Sequence, residues 1–404
     1  MSSQPQRLAF APLTGAVDFH DGSEVLLDTL DAILVGWPRH PAEDGAPARI
    51  QVRRAGGDFV IDSPWLDTPL RDPSALRAAG NLAVDLVEQW LDEHPDTLCL
   101  HCGAALFGDQ LVIFPAQAHA GKSTLMARLA AAGIPIFTDD ILPLVGDADE
   151  DGFSLGLQAR PRLPLPPSAG PALQRLVADC APVRDERYAY IQPAAGIGPV
   201  FGRRARIGAI VLLERTADAS SPARLEPAHR GDGLQELIFQ NLSPELHLPD
   251  SIARLHRLMA RLPCFRLRYN DLEEAAALLS HRFPVQEDSA LSPAPVASAA
   301  PPDTTRAGYA RTPDVTACHA DDELFLVNAQ GNRVFRLNPL ANGVWNLLAE
   351  PATRADIIDA LHTAFPCQSR TRIAHDVTRL IEQLLTHGLI RTPVPRAPRA
   401  APLT

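Results

Sequence analysis

The sequence predicts an α/β core built around a phosphate-binding loop, with an α+β module before it and a winged-helix-like module after it. Three observations carry that expectation. Between Leu111 and Ala132 a buried-strand pattern, a small-residue loop, Gly-Lys-Ser and a helical pattern follow one another. One helix later, a short apolar strand ends in Asp139-Asp140. Near the C-terminus a β-hairpin pattern precedes three helical patterns.

The bulk numbers set the frame. A chain of 404 residues suggests two or three domains, and 46% hydrophobic residues are ample for packed cores. The net charge of −11 argues against nucleic acid and against an anionic membrane surface as partners. The N-terminus, Met1 to Gln6, has no cationic segment followed by an apolar run, and no apolar stretch is long enough to span a bilayer. A soluble cytoplasmic protein is expected, and a homo-oligomer is compatible with the sequence. The six cysteines are dispersed, as expected of reduced thiols. Cys99 and Cys102 form a lone C-x-x-C in an apolar run, which reads as buried structural thiols rather than a zinc or redox pair.

Residues 1–95 read as the α+β module. Arg49–Arg53 and Asp58–Asp62 alternate like strands on either side of Gly56-Gly57, a hairpin signal. Asp72-Pro73 reads as a helix start, with Asp as cap and Pro at the first helical position. Leu76, Leu82, Leu86 and Trp90 then mark one apolar face, on which Trp90 is core. No residue of this module is singled out for chemistry.

Residues 96–283 hold the chemistry. Thr97–Phe107 is strand-like, and so is Leu111–Phe114. Ser123–Ala132 reads as a helix that Gly133 stops. The segment Ala116-Gln117-Ala118-His119-Ala120-Gly121-Lys122-Ser123-Thr124 then forms a P-loop, whose N–H groups and helix N-terminus cradle phosphates. Lys122 reaches the outer phosphates and the Ser123 hydroxyl is placed for Mg²⁺. Of 37 Lys and Arg residues, Lys122 is the only lysine. The chain writes Arg wherever any positive charge will do, and its exception falls where a compact point charge on a flexible stem is needed. The loop departs from the common pattern at Ala116, where glycine is usual, and at His119.

Carboxylates at the end of the strand Ile134–Ile141, one helix beyond the loop, suit metal coordination or deprotonation of an attacking hydroxyl. Arg160–Pro167 reads as a stiff extended stretch with a structural edge or turn role. Arg203, Arg204 and Arg206 read as a solvated charge run before the strand Ile207–Leu213. A helix over Leu255–Leu262, a strand over Cys264–Tyr269 and a helix over Leu272–Leu279 close the module.

Residues 284–310, rich in Pro, Ala and Ser, read as a flexible linker. Residues 311–393 form the winged-helix-like domain: strands around Gln330-Gly331-Asn332, then helices over Ala341–Leu348, Arg354–Phe365 and Ile373–His387, stopped by Gly388. No Arg/Lys stripe marks a DNA-reading helix, so an exposed hairpin edge adding a peptide strand is the better-motivated use. Residues 394–404 read as a disordered tail.

Two resemblances sharpen these expectations. Leu100-His101-Cys102-Gly103, Phe114–Leu125, Phe137-Thr138-Asp139-Asp140 and Leu262–Tyr269 resemble the HPr serine kinase/phosphorylase family, in particular the looser group of HPr kinase-related proteins. The resemblance spans most of residues 8–283, and only the P-loop and the Asp pair are specific. It implies a P-loop kinase core using ATP and Mg²⁺. It places His101 and Asp139/Asp140 at the reacting hydroxyl, with Asp140 taken as base; Ser123 and Asp139 are the candidate metal ligands. The Gly-rich signature that true HPr kinases carry further downstream is not evident, so HPr itself is not implied as substrate.

Leu324–Val327, Val334–Pro339, Trp345 and Leu384–Ile390 resemble the PqqD family. Its members are small domains that hold the leader of a ribosomally made precursor peptide by strand addition, which carries over here to the hairpin at 322–338. The leading expectation is therefore a kinase acting on a Ser/Thr hydroxyl of a peptide or small protein, with Lys122, His101, Asp139 and Asp140 in catalysis. A nucleotide-binding peptide carrier without phosphotransfer stands second, and a small-molecule kinase with an accessory domain third.

Overall fold

A computed structural model describes residues 5–283 and 308–392, apart from 21, 44, 118, 119, 167, 168, 195, 217, 219, 220, 244 and 322. The expected linker, but for 308–310, and the expected tail lie outside the described residues. So do Ala118 and His119 of the loop. The described residues divide into two compact units, one of 5–246 with 257–283 and the other of 247–256 with 308–392. Both are mixed α/β.

In the first unit a six-stranded sheet runs in the order Arg39–Pro41, Gln6–Phe10, Ala16–Phe19, Ala48–Ala55, Asp58–Asp62, Leu70–Asp72. The expected hairpin forms, with Ala55 opposite Asp58 and both turn glycines at positive φ. Two-residue turns of this hand match the twist of the strands and need that conformation. The helices Val25–Ile33 and Ala75–Asp92 bury their apolar faces in one core with this sheet, Leu26, Leu30, Leu82 and Leu86 among them. Trp90 belongs to that core and stacks on His94 and Phe153.

The helix start differs from expectation by two residues. Ser74 is the N-cap and its side chain accepts from the Arg77 N–H. Asp72 remains in the last strand, where Oδ1 accepts from the Ser74 N–H at 2.7 Å and Oδ2 from Arg77 Nε at 2.9 Å. A strand partner opposite Phe59 holds Asp72 extended, so the next hydroxyl takes the cap.

Asp85 is buried on the same helix, and Oδ2 has no hydrogen-bond partner among the described residues. Burial pushes its pKa up to about 6, with Ser63 opposing and Glu88 adding to the rise. The folded state thus binds this proton more readily than the unfolded chain, and stability from this group falls as pH rises from about 4 to 6. Asp85→Asn is expected to gain about 1–3 kcal/mol at pH 7.5 and nothing at pH 3.5. Urea unfolding at both values checks it, and an unchanged pH slope counts against it.

The second sheet has eight strands. Along its path lie Asp151–Phe153, Ile141–Val145, Leu98–Phe107, Gln110–Pro115, Arg204–Arg215, Cys264–Tyr269 and Arg224–Pro227, while Ile136–Thr138 pairs off the path with Leu98–Phe107. Gln110–Pro115, Arg204–Arg215 and Cys264–Tyr269 are parallel neighbours. Their carboxyl ends therefore share one side of the sheet. The far side of the sheet is not open: Asp151–Phe153 pairs with both Ile141–Val145 and Arg204–Arg215 and closes a ring of strands. The helices Lys122–Ala131, Pro171–Cys180 and Leu272–Arg282 contribute Leu125, Met126, Leu173 and Leu279 to one core with Phe114, Val211 and Leu267. A fork of Arg128 onto Glu273 ties two of these helices together.

In the second unit Thr316–Ala320, Glu323–Val327 and Val334–Leu337 form an antiparallel sheet in that order. The first of these strands was not anticipated; its alternation Thr-Ala-Cys-His-Ala has little apolar bulk. Helices Pro339–Leu347, Arg354–Ala364 and Arg370–Thr386 follow. Asn338, Thr353 and Ser369 cap them, Thr353 in a capping box with Asp356. Leu324, Leu326, Trp345, Ile357, Val377 and Ile381 form the core. The Arg311 guanidinium lies 4.7 Å from the Trp345 ring centroid and donates to the Trp345 carbonyl at 2.7 Å.

Candidate active site

A cavity of about 370 Å³ opens in the first unit at the carboxyl ends of the parallel strands. His101, Gln117, Gly121, Lys122, Ser123, Thr124, Asp139 and Asp140 all line it. Seven of them come from two short segments and His101 from a strand; the fold brings them to one space. Ala116 is buried and Ala120 lies outside the lining, although its carbonyl accepts from Tyr269 Oη at 3.3 Å.

The loop turns into its helix through Gly121, at φ +92°. A Cβ there would meet Tyr269 Oη at 2.9 Å, so both the conformation and the space demand glycine. Helix Lys122–Ala131 begins at once, which leaves its first N–H groups facing the cavity end of the loop. Gly103 serves the same site from the neighbouring strand. A Cβ there would stand 2.9 Å from Met126 Sδ and 3.2 Å from Lys122 Cγ, so its absence gives the lysine stem room.

Lys122 is only 8% exposed, and its Nζ has no hydrogen-bond partner among the described residues. Asp139 is 4% exposed, and its Oδ1 also lacks one. Asp139 Oδ2 accepts from the Arg160 N–H at 3.1 Å. Burial pushes the Asp139 pKa up to about 6, against the pull of Lys122 and the Arg160 N–H. A buried ammonium and a buried carboxylate that leave hydrogen-bonding capacity unused in one cavity are costly, each by about 1–3 kcal/mol, unless a ligand completes them. An anion with an associated cation fits both. Among the described residues, no group of three or more His, Cys, Asp or Glu side chains forms a metal cage.

Asp140 sits in the turn between Ile136–Thr138 and Ile141–Val145 and is half-buried. His101 Nε2 lies 3.0 Å from Asp140 Oδ1. Burial raises the Asp140 pKa, but the His101 hydrogen bond and the charges of Lys122, His101 and Arg160 outweigh it, and the carboxyl stays below the usual range. The two adjacent aspartates are thus driven apart: one is desolvated, the other held ionised. Cys99 and Cys102 are buried free thiols, with burial pushing Cys102 up to about 12.

Several cavity residues were missed from sequence. Arg160 was read as part of a structural edge. Instead, its guanidinium lines the cavity, 4.9 Å from the Tyr188 ring centroid, and donates to Tyr190 Oη at 3.5 Å. Arg162, Pro164 and Pro166 line it too. Helix Ala75–Asp92, given no chemical part, supplies Gly80, Ala83, Val84 and Val87 as an apolar wall. The exposed Val84, 46% accessible, was the available signal: an apolar side chain off the core face. Arg203, Arg204 and Arg206 are exposed and lie outside the lining.

In the second unit, Val334–Leu337 pairs on one side with Glu323–Val327 and has no strand on its other side among the described residues. Residues 323–390 match the family model described as Coenzyme PQQ synthesis protein D (PqqD). The chain carries a PqqD domain near its C-terminus. Two solved structures are similar to parts of the chain. One, TbiB1 in complex with the TbiA(beta) leader peptide, is 24% identical over 21% of this chain and 99% of that one, at a TM-score of 0.20. The other, the Hpr(Ser) kinase/phosphatase from Coxiella burnetii, is 15% identical over 46% of this chain and 95% of that one, at a TM-score of 0.21. No curated protein matches. Outside the PqqD domain as within it, no helix among the described residues is long and apolar enough to cross a membrane.

Proposed function

We propose that the chain is an ATP-dependent kinase that phosphorylates a Ser or Thr hydroxyl of a peptide held by its PqqD domain. The observation that carries this is the pair of unused buried polar atoms, Lys122 Nζ and Asp139 Oδ1, in the cavity where His101 meets Asp140. A nucleotide triphosphate with Mg²⁺ completes both. The N–H groups of the P-loop and Lys122 would hold the outer phosphates, and Ser123 and Asp139 the metal, which neutralises charge between the phosphates.

Asp140, kept ionised by His101, takes the proton of the acceptor hydroxyl. The hydroxyl oxygen forms a bond to the γ-phosphorus as the bond to the bridging oxygen breaks, and ADP leaves. Lys122 and the loop N–H groups stabilise the charge that spreads over the transferred group. The open edge of Val334–Leu337 suits an added peptide strand. Because the PqqD domain and the cavity belong to one chain, a held peptide meets the cavity at raised effective concentration.

The test is direct. Full-length protein incubated with Mg-ATP and the short peptides encoded beside its gene is expected to add the mass of one phosphate to one of them. Nucleotide binding with no mass gain on any of these peptides would instead select the peptide-carrier reading.

A further inference from the structure

Gln240 belongs to neither the loop nor the acidic pair, yet it grips His101 at two points. It caps the C-terminus of helix Arg230–Phe239 and is 6% exposed. Its backbone carbonyl accepts from the His101 N–H at 2.7 Å, beside a bridge between Leu100 and Asn241. Its side-chain Oε1 lies 2.9 Å from His101 Nδ1. Its Nε2 donates to Glu236 Oε1 at 3.0 Å, one helical turn back.

The chemistry of this chain of contacts has one sense. An ionised carboxylate only accepts, so Glu236 selects the NH₂ end of the Gln240 amide. The oxygen end is then left for the ring. An amide oxygen also only accepts, so Nδ1 is the nitrogen that donates. By the same rule the Asp140 carboxylate accepts, so Nε2 donates as well, its hydrogen aimed at Asp140 Oδ1, 3.0 Å away. We propose that Gln240, itself oriented by Glu236, is a positioning residue that fixes a hydrogen on His101 Nδ1 and aims Nε2 at Asp140. The consequence for turnover rests on the phosphotransfer reading; the placement of the hydrogen does not. Gln240 touches no reacting atom and lines no part of the cavity. Partners of this kind, behind a working histidine, set which ring nitrogen is presented.

The experiment uses full-length protein with ¹⁵N-labelled histidine, the His101 ring signals being assigned by their loss in His101→Gln. The native ring is expected to carry hydrogen at Nδ1. Gln240→Leu keeps a side chain of similar size and removes the acceptor; the Nδ1–H signal is expected to be lost or averaged. In transfer to the peptide identified above, kcat is expected to fall about 10–100-fold while KM for ATP changes less than about twofold. The exchange Glu236→Gln with Gln240→Glu again places an acceptor at Nδ1 and a donor behind it. It is expected to restore the ring signal and kcat to within about threefold of native. A native ring without hydrogen at Nδ1, an unchanged spectrum in Gln240→Leu, or an exchange variant that stays at the Gln240→Leu level overturns the inference. Absence of transfer by the native chain counts against the kinase alone, and the ring spectrum then decides the role of Gln240.

Discussion

Replacing Lys122 with methionine is expected to lower phosphate transfer by about 10²–10³-fold, to weaken Mg-ATP binding, and to make the ligand-free protein more stable. The opposite signs are the informative part. Lys122 is buried with an ammonium that makes no hydrogen bond among the described residues. Such a group is a burden on the fold, of about 1–3 kcal/mol, that a packing role alone would not sustain. Methionine keeps the unbranched stem that passes over Gly103 and discards the charge. Urea unfolding without nucleotide is expected to show a gain of about 1 kcal/mol or more. Calorimetry with Mg-ATP is expected to lose most of its heat. Unchanged binding and turnover in this variant would remove the basis for a phosphate site. A loss of stability would recast Lys122 as a structural residue.

Asp140→Asn is expected to lower kcat by about 10²–10⁴-fold with Mg-ATP affinity within about threefold of native. The amide keeps the size of the side chain and still meets His101, but it takes no proton. Asp139→Asn is expected to fail differently, through weakened metal-dependent binding of nucleotide. The contrast follows from their surroundings. Asp139 is shut away beside Lys122 and the Arg160 N–H, whereas Asp140 is half-buried and held ionised against His101. Because the His101 hydrogen bond and the nearby positive charges hold the Asp140 carboxyl below the usual aspartate range, its protonation limits the rate only at pH values more acidic than those at which an ordinary aspartate titrates. A profile of kcat against pH for the native chain and the two variants checks this division. Equal losses in binding for both variants would remove it.

Short-range patterns were legible in the chain because each is settled by neighbours a few residues away. The turn at Gly56-Gly57 follows from two residues that tolerate positive φ between alternating strands. The strand that ends at Pro115 and the helix that starts at Lys122 follow from an apolar run and a Leu/Ala-rich stretch. The three C-terminal helices expected from apolar spacing form, and Asn338, Thr353 and Ser369 cap them within their own segments. One local signal was misjudged: the cap fell to Ser74 because Asp72 was already committed to a strand.

What escaped were meetings between distant segments. Arg160 looked like part of a proline-stiffened edge, and nothing near it in the chain points to Asp139 or to two tyrosine rings. Gln240 was not singled out in the sequence, and its grip on His101 spans 139 residues. Helix Ala75–Asp92 was read for its buried face, while its Gly80, Ala83 and Val84 form a wall of the cavity.

The order of residues alone was enough to announce a PqqD domain near the C-terminus, a glycine turn into the helix that opens with the single lysine, and an acidic pair one helix away, since spacing and residue chemistry carry those features. It took the folded chain to part the two aspartates into a desolvated one and an ionised one, and to give His101 its partners. Burial and hydrogen-bond direction belong to the space a side chain enters, and that space is built by strands and helices remote in sequence.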